Sequence, residues 1–278
     1  MKRLLLLILV ICTSITTFSQ IEHGIEVRMY VDDRPVGIYL PSNYFESPKL
    51  FPVLYLLHGT GGNELSWFLE GEFAETLDQL ISNGTVAQMV VVLPFVSPDM
   101  DGTYEVYFDK LRRKIEANFK VSHMKKYHAI AGLSMGGFYA MHISHYYPHQ
   151  FDYIGLFSPI YTTKKMEIFK KSEDYLFGVD QMTPRVYRNV EAELKKQFAY
   201  KPKLYYIAIG KLDFLYNQNE LYRQFLDKNE YPYTYIETGG GHDWKNWKAY
   251  IKDFLPRLFK DGDADIEITE EIYKLIDE

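Results

Sequence analysis

The sequence predicts an α/β protein in which a mainly parallel sheet is flanked by helices on both faces. Strand-length apolar runs alternate with helical patterns over most of the chain, the order that builds parallel strands with crossover helices. The inner runs Pro52 to His58 and Gln88 to Leu93 are apolar without alternation, as strands covered on both sides must be. With 47% hydrophobic and 24% charged residues, the 278-residue chain can fill one large core, and α/β units often run to this length as a single domain.

Val27 to Val31 and Gly37 to Leu40 read as a hairpin turning at Asp32-Asp33-Arg34-Pro35. Between the two buried strands, Trp67 to Ile81 has helical spacing. Val106, Leu111, Ile115 and Phe119 repeat at helical intervals within Tyr104 to Phe119, which leads into a strand at Tyr127 to Ala131. The alternation continues with helix Met135 to Tyr147, strand Tyr153 to Phe157, helix Pro184 to Phe198 and strand Leu204 to Ile209. Helix Leu215 to Leu226, strand Tyr233 to Glu237 and helix Trp244 to Phe259 complete it, so the domain is expected over residues 20–260.

The two ends differ from the body. Lys2-Arg3 precedes an apolar run from Leu4 to Cys12 and then a small polar stretch. Residues 1–19 therefore read as a secretory signal peptide cleaved before Gln20, which implies a secreted or periplasmic protein. The run is too short to span a bilayer, so no permanent membrane anchor is expected. Ile11 stands before Cys12 where lipidation would need a small residue. Cys12 is the only cysteine, so disulfides and thiolate chemistry are not expected of the mature chain. Net charge is −6 with no basic stretch, which argues against a nucleic-acid partner. Residues 261–278 hold eight acids against Lys274 alone and read as an acidic, solvated C-terminal tail.

Gly132-Leu133-Ser134-Met135-Gly136 has the pattern of a nucleophile elbow, in which a serine projects from a tight strand-to-helix turn. A serine hydroxyl needs an imidazole to take its proton and an acid to orient that imidazole. Four histidines follow Ser134. His142, His145 and His149 run away from it along the following helix, whereas His242 stands in the glycine-rich loop after a strand. The acid should lie between them at the carboxyl end of the sheet. Asp213, in the loop leaving Leu204 to Ile209, fits best, with Asp180 and Glu237 as alternatives.

An acyl-transfer site also needs two N–H donors for the oxyanion. Met135 and Thr60, the latter in His58-Gly59-Thr60-Gly61-Gly62, are in place to supply them. His58 reads as a structural loop residue. His142, His145 and His149 have i, i+3, i+7 spacing but no carboxylate to complete a metal set, so no metal or other cofactor is expected. The stretch from Ser158 to Lys203 is the natural cover of a pocket above Ser134, and it carries Tyr161, Phe169, Tyr175, Phe177 and Tyr187. Tyr161, with Trp67 and Trp244 beside the two glycine loops, is an expected substrate contact.

The segments HGTGGNELSW (58–67), GLSMGG (132–137), GKLDF (210–214) and GGGHDWKNW (239–247) together resemble the esterase D-like α/β-hydrolases. In particular they resemble carbohydrate esterase family 1, the feruloyl and acetyl xylan esterases. The resemblance runs from about Pro35 to Phe259. It implies an α/β-hydrolase fold with Ser134 as nucleophile, Asp213 as acid, His242 as base and Thr60 and Met135 as oxyanion donors. It also implies ester-bearing oligosaccharide or polysaccharide substrates. Siderophore esterases, other small-ester hydrolases and acyltransferases share the scaffold. The loop Phe95 to Gly102 looks shorter than in many such proteins, and the acidic tail is not part of the pattern.

Overall fold

A computed structural model describes residues 21–100, 103–161, 190–260 and 266–267. The expected signal peptide, Asp180, most of the acidic tail, and Phe169, Tyr175, Phe177 and Tyr187 lie outside the described residues.

The chain begins with a hairpin of β1 (Ile25–Val31) and β2 (Arg34–Leu40), closed by Asp32 and Asp33 with φ of 48° and 60°. Two consecutive left-handed residues make the tight turn that matches strand twist, and aspartate tolerates that conformation. β4 (Val53–Leu57), β5 (Val90–Pro94), β6 (His128–Leu133), β7 (Tyr153–Phe157), β8 (Leu204–Gly210) and β9 (Thr234–Thr238) join the hairpin in an eight-stranded sheet. Its order is β1-β2-β5-β4-β6-β7-β8-β9. β1 and β2 are antiparallel and β2 is antiparallel to β5, whereas every pairing from β5 to β9 is parallel.

The helices are α1 (Ser66–Leu69), α2 (Phe73–Ser82), α3 (Tyr104–Asn118), α4 (Met135–Tyr146), α5 (Val190–Ala199), α6 (Tyr216–Lys228) and α7 (Trp244–Phe254). Strand alternation sends one set of side chains to each face. Tyr55, Ile130, Ile154 and Ile207 pack with Phe108, Phe138 and Phe225 from α3, α4 and α6. Leu54, Leu56, Ala131 and Tyr206 pack with Trp67, Leu77 and Phe254 from α1, α2 and α7. The expected mainly parallel sheet with helices on both faces is thus the observed architecture.

Beyond shifts of a few residues at element ends, three features differ from the sequence reading. The helix expected over Trp67 to Ile81 is two helices, because a Cβ on Gly71 would sit 2.4 Å from the Trp67 carbonyl oxygen and Glu72 takes φ 48°. The helix from Trp244 stops at Phe254 and tightens into a 3₁₀ turn, Leu255–Arg257, around Pro256, which has no N–H to continue an α-helix. Within the acidic segment, β10 (Ile266–Glu267) pairs antiparallel with β3 (Lys49–Leu50), so these two residues are joined to the body and not frayed. Among the described residues no helix is long and apolar enough to cross a membrane.

Candidate active site

The loops leaving β4, β6, β8 and β9 open at the carboxyl edge of the sheet and bring the predicted residues together. Ser134 follows β6 directly, with φ 53° and ψ −119°. The surroundings enforce that sharp turn. Its N–H donates to the Phe157 carbonyl at 2.8 Å, and its carbonyl accepts from Phe138 at 3.1 Å. Only glycine allows the packing: a Cβ on Gly132 would lie 2.4 Å from the Gly136 carbonyl, and one on Gly136 would lie 2.4 Å from the His58 oxygen.

Ser134 Oγ lies 3.0 Å from His242 Nε2, and His242 Nδ1 lies 2.9 Å from Asp213 Oδ2. The Asp213 side chain is fully buried; its other oxygen, Oδ1, accepts the Leu215 N–H at 2.8 Å. A buried carboxylate accepts and does not donate, so the imidazole carries its proton on Nδ1 and leaves Nε2 free to accept from the serine hydroxyl. The arrangement can draw a proton from Ser134 Oγ and hold the resulting imidazolium against a carboxylate. Glu237 is engaged elsewhere, with Lys211 Nζ at 2.8 Å and the Tyr216 hydroxyl at 2.7 Å. These partners hold its carboxyl below the usual range, the Lys211 hydrogen bond foremost.

Met135 is the first residue of α4, where backbone amides have no intrahelical acceptor. Thr60 is exposed on the loop after β4, next to Gly59, where a Cβ would stand 3.3 Å from Ser134 Cβ. That loop turns back through Gly61, at φ 79°. His58 is buried and fixes it. Its Nδ1–H donates to the Gly59 carbonyl at 2.8 Å, and its Nε2 accepts the Val96 N–H at 3.0 Å. Burial lowers its pKa, which suits a neutral ring that donates at one nitrogen and accepts at the other.

Two expected substrate contacts are corrected. Trp67 is 1% exposed, its indole N–H donates to the Leu57 carbonyl at 3.1 Å, and its ring packs edge-on to Phe73 and Phe157. Tyr161 is 2% exposed and stacks on Tyr222 with ring centroids 4.0 Å apart. Both are core residues. Trp244 is half-buried and meets Trp67 and Trp247 edge-on. The sequence reading missed two rings that flank His242, buried Trp247 at 5.0 Å and exposed Phe214 at 4.5 Å. For Phe214 the available signal was a large apolar residue directly after the predicted acid in a surface loop. His142 lies 3.3 Å from Glu105 and His145 is buried, and among the described residues no group of three or more His, Cys, Asp or Glu could hold a metal ion.

Fold and site together define an α/β-hydrolase built on the plan of a serine ester hydrolase. The chain belongs to the Esterase family, whose model matches residues 29–258. It is similar to an endo-1,4-beta-xylanase/feruloyl esterase of Xylanibacter ruminicola, at 35% identity over 137 residues, covering 44% of this chain and 19% of that one. It is also similar to an acetyl esterase of Caldicellulosiruptor saccharolyticus, at 27% identity over 231 residues, covering 76% of this chain and 84% of that one. Among solved structures, a ferulic acid esterase superposes with a TM-score of 0.71 at 23% identity, covering 84% of this chain and 96% of the other.

Proposed function

We propose that the protein is a secreted serine esterase that hydrolyses feruloyl or acetyl esters on plant cell-wall polysaccharides through an acyl-enzyme on Ser134. The observation that carries this reading is the unbroken hydrogen-bonded line from Ser134 Oγ through His242 to the fully buried carboxylate of Asp213. The names of the xylanase/feruloyl esterase and acetyl esterase relatives support the acyl groups and the polymer. The Lys2-Arg3 and Leu4 to Cys12 pattern supports export.

In this mechanism Ser134 Oγ attacks the ester carbonyl carbon while its proton passes to His242 Nε2. Asp213 stays ionised and stabilises the imidazolium through Nδ1–H. The tetrahedral oxyanion accepts from the N–H groups of Met135 and Thr60. His242 then gives the Nε2 proton to the leaving alcohol oxygen as the C–O bond breaks, which leaves the acyl group on Ser134. Water attacks that ester with His242 again taking the proton, and the acid departs with Ser134 restored.

A fluorophosphonate probe tests the nucleophile directly: Ser134 Oγ should displace its fluoride, adding the phosphonyl group to the peptide containing Ser134, and Ser134→Ala should not be labelled. Labelling elsewhere would remove Ser134 from this role. Side-by-side kinetics test the substrate class. Feruloylated or acetylated oligosaccharides should give kcat/KM at least about tenfold above a simple aliphatic ester, roughly 1.4 kcal/mol in transition-state binding. Equal values would leave an esterase without carbohydrate or aromatic selectivity.

A further inference from the structure

We infer that Phe214 forms the leaving-group subsite, stacking on the sugar ring whose hydroxyl the reaction releases. This rests on the proposed esterase reading and adds to it which side of the site takes the carbohydrate.

Direction comes from the chemistry. The proton that His242 takes from Ser134 must be delivered from the same Nε2 to the leaving oxygen, so the alcohol part of the ester lies on the His242 side of the nucleophile. Among the described residues two aromatic rings flank His242. Trp247, edge-on at 5.0 Å, is 8% exposed and belongs to the core. Phe214, tilted by 51° at 4.5 Å, is 56% exposed and is the flanking ring that a substrate can reach. Leu212, two residues earlier on the same loop, is a second exposed apolar side chain, 79% exposed.

The loop that carries this surface is rigid. The Lys211 N–H donates to the Thr238 carbonyl at 2.8 Å, the Leu212 N–H to Gly240 at 3.0 Å, the Asp213 N–H to Gly210 at 3.0 Å and the Tyr216 N–H to Asp213 at 2.9 Å. The approach of the two loops is so close that a Cβ on Gly210 would lie 1.9 Å from the Gly240 oxygen. A large apolar ring is therefore presented to solvent from a hydrogen-bonded backbone, beside the imidazole that protonates the leaving group. The C–H face of a pyranose or furanose fits such a ring while its hydroxyls stay in water. A methyl or ethyl alcohol is too small to cover it.

The experiment compares esters of one acid with different alcohols: feruloyl-arabinose against methyl ferulate, and acetylated xylobiose against methyl acetate. Phe214→Ala should lower the ratio of kcat/KM for the sugar ester over the methyl ester by about tenfold. Phe214→Leu, which keeps an apolar side chain without a ring, should lower it similarly, and Phe214→Trp should hold it within about twofold. A ring that only shields His242 would change both members of a pair by one factor. An unchanged ratio in Phe214→Ala or Phe214→Leu would therefore overturn the subsite while leaving the esterase intact. Failure of the unaltered protein to cleave any of the four esters would overturn the esterase reading and the subsite with it.

Discussion

Ser134 holds a backbone conformation that a residue with a side chain adopts only when its neighbours impose it, and the imposed turn aims Oγ at His242 Nε2. Removing that oxygen leaves every backbone constraint in place. Ser134→Ala should therefore keep the thermal midpoint within a few degrees while ester hydrolysis falls by about 10⁴-fold or more; a folded variant keeping a tenth of the rate would exclude the proposed role. Two of the three carboxylates weighed for the acid, Asp213 and Glu237, should separate just as sharply. Asp213→Asn presents an amide to Nδ1 and favours the wrong tautomer, at a cost of about 10⁴-fold in kcat. Glu237→Gln disturbs only contacts to Lys211 and Tyr216 and should stay within a few-fold. Initial rates in the reverse order would move the acid to β9. The meeting of Ser134, Asp213 and His242 was legible because residue type and position after a strand specify it. The burial of Trp67 and Tyr161 was not, since an aromatic in a loop motif reads the same whether it faces a pocket or the core. Only the tertiary neighbours, the Leu57 carbonyl for one and the Tyr222 ring for the other, decide it.

At the scale of elements, the crossing of β4 and α4 positions both halves of the expected oxyanion site, and it depends on missing side chains. A Cβ on Gly136 would lie 2.6 Å from the Leu57 oxygen and 2.4 Å from that of His58. These are backbone atoms that cannot rotate away. Gly136→Ala should push the helix start from the β4 loop and lower kcat by at least about 100-fold, with KM moving less, because misplaced donors are felt in the transition state. Kinetics in which KM rises and kcat holds would contradict this. The buried strands of the core were legible from unbroken apolar runs. The break between α1 and α2 was not: a single glycine is tolerated inside many helices, and what ends this one is the approach of Gly71 to the Trp67 carbonyl. Likewise nothing in the composition of the acidic segment announces the pairing of Ile266 with Leu50, since strand pairing lies in the backbone register.

For the whole molecule, acidity is the informative variable. His58, His128 and His145 are buried and their pKa values are lowered by that burial, for His145 to about 3. The unfolded chain takes up protons near pH 6.5 that the folded chain refuses. The stability held by the neutral rings is thus fully present above about pH 6.5 and is lost as pH falls toward the folded values. His145→Leu should flatten that acid limb, so that its midpoint falls between pH 7.5 and 4.5 by about 5 °C less than that of the unaltered protein; parallel curves would refute the assignment. Deleting residues after Gly262 removes a two-residue ladder and should lower the midpoint by less than about 5 °C. A larger drop would mean that more of the segment packs on the body. The spacing of the proposed catalytic set along the chain has a temporal consequence. His242 is 108 residues beyond Ser134 and 29 beyond Asp213, and it arrives only with the loop that follows β9 at the sheet's edge. A nascent chain carries the proposed nucleophile long before it carries the proposed base. In the proposed mechanism hydrolysis needs the loop after β9 in place beside β8, so the return of hydrolysis after dilution from denaturant should not precede the formation of that sheet edge.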